Sequence, residues 1–153
     1  MFGVDETENG MNIFDKKNQW RFTKLAERRK MNDALEGEDA QIANVMDQHP
    51  EFDEIWPLGE MSAHPQEVNG SIVNPFVHAT LHMIIEKQIE MENPPEVAET
   101  LKVLLTEGVD RHEAIHRILS VYADLYFRNF RKGVSFEEAI YLEGLKQLRG
   151  EPT

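Results

Sequence analysis

The sequence predicts an all-α domain, a helical bundle of five or six helices, on three observations. Nearly every apolar segment repeats with helical spacing, and no segment sustains the alternation of a half-buried strand. The breaks between periodic segments carry helix-capping residues, prolines and glycines. A chain of 153 residues, 41% hydrophobic, is long enough to bury a core and has the size of one ordinary domain. Residues 1–153 are therefore expected to form a single helical domain, with 1–11 as a flexible tail.

The first helix is expected from about Asn12 to Ala34, with Trp20, Phe22 and Leu25 supplying apolar contacts and a stop near Gly37. A second, "EDAQIANVMDQ", ends before His49-Pro50, because a residue preceding proline is pushed out of the helical region. A helical turn, "EFDEIW", follows. Pro57 to Val73 reads as the one long loop, a candidate lid. Asn74-Pro75 opens the third helix, with Asn as N-cap and Pro at the first helical position, and "NPP" ends it after Met91. Pro94-Pro95 starts a short fourth helix carrying Val97, Leu101, Leu104 and Leu105, which Gly108 ends. Asp110 and Glu113 have capping-box spacing for a fifth helix running to Lys132 before Gly133. Ser135 and Glu138 repeat that spacing for a last helix to about Leu148.

Composition removes several function classes. With no cysteine, disulfides and thiolate metal sites are impossible, so any metal must be held by nitrogen and oxygen. The N-terminal "MFGVDETENG" is acidic where a secretory signal is basic and then apolar, and no apolar run approaches the roughly 18 to 20 residues that span a bilayer. A cytoplasmic protein without a membrane partner is expected, and a homo-oligomer is left open. The formal charge of −12 argues against nucleic acid, because phosphate affinity comes largely from Lys and Arg. Residues 15–30 nevertheless carry seven basic side chains against two acidic ones. The expected partner of that basic helix is the acidic remainder of the same chain.

Histidines carry the functional signal. His78 and His82 lie four apart near the start of the third helix, and His112 and His116 repeat the spacing near the start of the fifth. At 100° per residue, His78 and His82 share a face with Val77, Leu81, Ile84, Ile85, Gln88 and Ile89, while Thr80, Met83 and Lys87 lie opposite. On the fifth helix His112, Ile115, His116, Leu119, Tyr122, Ala123, Tyr126 and Phe130 make the equivalent face. Up-and-down connectivity makes the two helices parallel, so both pairs are expected at one end of the bundle. An i,i+4 pair can place two imidazoles on one ion. The spacing thus predicts a divalent metal site held by His78, His82, His112 and His116, with zinc preferred and nickel or iron as alternatives. His49, Glu86 and Glu113 are additional candidates as ligands or as carboxylates orienting the ligands. Residues 112–116, "HEAIH", also fit the zinc-protease pattern, but that pattern belongs to a helix under a sheet, and Glu113 has the simpler role of a cap.

The motifs also resemble a known family. "AQIA" at Ala40 to Ala43, His49-Pro50-Glu51, Asn74-Pro75-Phe76 with His78 and His82, Gln88, His112 with His116, and Tyr141-Leu142 with Leu145 are similar to the pattern of the uncharacterised bacterial family catalogued as domain of unknown function 1841. The resemblance covers most of the chain and implies the helical fold and the histidine set, but no reaction. Where that family's pattern has glutamates, this chain has Ile115 and Lys87, with Glu113 and Glu86 nearby. Two functional classes follow. One is a metal site supporting metal-dependent hydrolysis or transfer, with a hemerythrin-like di-iron variant that adds His49 and Glu86. The other is a non-catalytic structural or interaction module built around a histidine cluster.

Overall fold

Helices account for most of the chain, as the periodicity predicts, and a small hairpin interrupts them. The structure is a computed structural model that describes residues 16–151. The expected tail, 1–11, and the expected helix start at Asn12 lie outside the described residues. By their internal contacts the described residues divide into two units, 16–83 and 84–151.

The first unit begins with α1 (Lys16–Lys30) and α2 (Gly37–Asp47). Its core gathers Phe22, Leu25, Ile42, Met46, Phe52, Trp56 and Phe76, all buried. Phe22 sits at the centre, 5.9 Å from the Trp56 ring and 5.1 Å from the Phe76 ring. The basic face of α1 is matched from within the same unit. Arg21 bonds Glu38 and Asp39, and Arg29 bonds Asp47 and Asp53. Burial works against the Arg21 charge, but its hydrogen bonds to Asp39 and Glu38, together with their negative charges, outweigh it and raise the guanidinium pKa.

Three expectations for this unit are corrected. α1 ends at Lys30, because Asn32 takes a left-handed φ of 58°, and Gly37 opens α2 instead of stopping the first helix. Trp20 is 66% exposed and contributes no core contact; the Lys24 ammonium lies over its ring at 5.4 Å. Pro57 to Val73 is not a loop. Trp56–Ala63 forms 3-10 turns bent at Gly59, and a hairpin follows, β1 (Gln66–Val68) paired antiparallel with β2 (Ser71–Val73). Asn69 and Gly70 take φ of 52° and 85° at its tip, the left-handed pair that a two-residue hairpin turn requires.

α3 (Pro75–Met91) belongs to both units. Its start follows the expectation, with the Asn74 side chain accepting from Val77 N at 3.1 Å. Every residue from Ala79 to Ile85 is buried. Thr80 and Met83, expected on the face away from the histidines, are therefore as enclosed as His82, and α3 has no solvated side over those turns.

The second unit adds α4 (Pro95–Thr106), α5 (Arg111–Lys132) and α6 (Glu138–Leu148), which pack on one another. Leu101, Leu104, Ile115, Ile118, Tyr122, Leu125 and Leu145 fill its core. Leu105 and Phe130, both 42% exposed, stay outside. Gly144 lets α6 approach α5 closely, since a Cβ there would meet Val121 Cγ1 at 2.6 Å. The expected Ser135–Glu138 box does not form. α6 starts after Glu137 without a side-chain cap, and the Asn129 amide instead donates to Ser135 O at 2.7 Å and Glu137 Oε1 at 3.2 Å. Among the described residues no helix is long and apolar enough to cross a membrane.

Candidate metal centre

His49 enters the first unit's site through a broken helix. α2 cannot continue into Pro50, so His49 adopts φ −131° and ψ 62° and its ring turns back under α2. Its Nδ1 donates to Val45 O at 2.9 Å. Because a carbonyl only accepts, Nδ1 carries a proton, and in the neutral form of the ring the lone pair lies at Nε2. Phe52 stacks on the same ring at 5.4 Å with an interplanar angle of 5°, fixing its plane.

His78 and His82 complete this cluster from successive turns of α3. The three rings lie 4.7 to 4.8 Å apart, and His78 Nε2 is 3.1 Å from His49 Nε2. His49 and His82 are 3% and 0% exposed, while His78 is half-buried. A buried cluster of imidazoles whose nitrogens face one another is compatible with a metal site. His49, an additional candidate from sequence, is as central to it as the two helical histidines.

The other pair lies in the second unit. Asp110 caps α5 as expected, accepting from His112 N at 3.1 Å and Glu113 N at 3.4 Å. His112 and His116 follow on successive turns with ring centroids 4.2 Å apart. Glu113 does not return to its cap but accepts from Arg117 Nε at 3.1 Å. Glu86 is held by the fork of Arg111 through two bonds of 2.8 and 2.9 Å. These hydrogen bonds outweigh partial burial and raise the Arg111 pKa. Both carboxylates expected near the metal are thus engaged by arginines.

The family model described as domain of unknown function 1841 matches residues 16–147. The chain belongs to this family. No curated protein and no solved structure matches it. The DUF1841 match contains His49, His78, His82, His112 and His116 together with Gln88 and Tyr141. Sequence reasoning placed those last two in the pattern but missed that they meet: buried Tyr141 Oη donates to Gln88 Oε1 at 2.6 Å. It also missed Arg111 as the partner of Glu86. The DUF1841 description names no reaction.

Proposed function

We propose that this DUF1841 protein binds one divalent metal ion, zinc by preference, through His49, His82, His112 and His116. The observation that carries the reading is this set of four imidazoles, each able to offer one nitrogen, in a chain without thiolates. Four nitrogen donors suit tetrahedral zinc. Nickel and iron also accept imidazole and are the competing occupants. His78, expected as a ligand from its spacing, is left outside the set because its Nε2 lies against His49 Nε2 at 3.1 Å.

A binding role has more support than hydrolysis or group transfer. The carboxylates that could take a proton from a metal-bound water, Glu86 and Glu113, are each tied to an arginine. The di-iron variant needs carboxylate ligands and is weakened by the same two bonds. Elemental analysis of protein purified without an affinity tag is the test. About one equivalent of metal per chain is expected, lost when His82→Ala and His116→Ala are combined. A protein that contains no metal and takes up none would make the histidines a structural cluster only.

A further inference from the structure

We infer that His78 competes with the metal for His49: its Nε2–H holds the lone pair of His49 Nε2 in the metal-free protein and yields it when metal binds. The inference rests on the metal-binding reading above. The Val45 carbonyl fixes the His49 proton on Nδ1, through a bond of 2.9 Å. In a neutral ring Nε2 of His49 is then an acceptor, and His78 Nε2, 3.1 Å away, is its donor. A ligand bond from His49 needs the same lone pair. The two uses exclude each other, so loading the site breaks the His78–His49 bond. Exposure fits this division of labour. His49 and His82 are enclosed, whereas His78 is half-buried and meets Phe52 only edge-on, at 5.9 Å and 82°.

The test uses the full chain with ¹⁵N-labelled histidine, first metal-free and then with zinc. The metal-free spectrum should show His49 protonated at Nδ1, His78 protonated at Nε2, and a through-bond coupling between the two Nε2 atoms that zinc abolishes. Cobalt titration of the wild type, His78→Ala and His78→Phe supplies the second readout, the phenylalanine keeping the aromatic contact with Phe52. Freed of one hydrogen bond to break, both variants should bind cobalt about fivefold more tightly, with the wild-type absorption band. Weaker binding or an altered band would make His78 a ligand and overturn the inference. So would absence of the coupling, or unchanged affinity in both variants while the wild type loads. A wild type that takes up neither ion ends the metal-binding reading and this inference together.

Discussion

Tyr141 is the clearest case of a single side chain whose environment sets its chemistry. Burial, with smaller contributions from Tyr122 and Glu138, pushes its hydroxyl well above the ordinary tyrosine value of 10.0. The folded state therefore holds this proton more tightly than the unfolded chain does. The stability so gained is complete below about pH 10 and is lost as pH rises further, at up to about 1.4 kcal/mol per unit. Tyr141→Phe should cost about 1 to 3 kcal/mol near neutrality by leaving Gln88 Oε1 without its donor. It should also flatten the alkaline fall. Denaturant melts at pH 7 and above pH 10 check both, and equal slopes for the two proteins would sink the assignment. At α5, Asp110→Ala should destabilise by about 1 kcal/mol, whereas Glu113→Gln should cost under about 0.5 kcal/mol because it loses only an exposed ion pair with Arg117. Metal content should be unchanged in both. Loss of a metal-dependent hydrolysis in Glu113→Gln alone would revive the zinc-protease pattern.

Among the elements, helix ends were legible and strand pairing was not. Asn74-Pro75, Asp110 and Lys132-Gly133 mark boundaries through bonds that span three or four residues, so the sequence shows them directly. The hairpin was missed because strands of three residues are too short to display alternation; its signal was Asn69-Gly70 alone. The α5–α6 crossing was equally invisible, since nothing local marks Gly144 as a contact point. Gly144→Ala gains helix propensity of about 1 kcal/mol but drives a methyl into the stiff Val121 side chain. Overpacking of this kind costs about 1 to 3 kcal/mol, so net destabilisation is expected. Adding Val121→Ala should recover part of the loss by opening the contact. Calorimetry on the two single variants and the double would show additive losses if the contact were unimportant.

For the chain as a whole, metal binding and stability are linked. Zinc at 100 times its dissociation constant should stabilise the native state by about 2.7 kcal/mol. In a chain of this size that is a rise of about 5 to 11 °C in melting temperature. The combined His82→Ala and His116→Ala variant should melt at one temperature with or without zinc. An equal rise in that variant would place zinc elsewhere. The formal charge of −12 has a whole-chain consequence too. The basic helix that stands out against it spends Arg21 and Arg29 on four carboxylates of its own unit.

Helical class, the ends of α3 and α5, the absence of thiolate chemistry and the two i,i+4 histidine pairs were readable from residue order, because each depends on residue type or on contacts within a turn or two. Three features needed the folded chain. Trp20 turned outward and Thr80 and Met83 inward, since burial depends on what covers a helix and not on its periodicity alone. The small sheet depended on a pairing that short strands do not announce. His49 drew level with His78 because of a backbone break at His49-Pro50 and one carbonyl, Val45 O, which orients the ring and fixes its proton, and no spacing rule records where a carbonyl points.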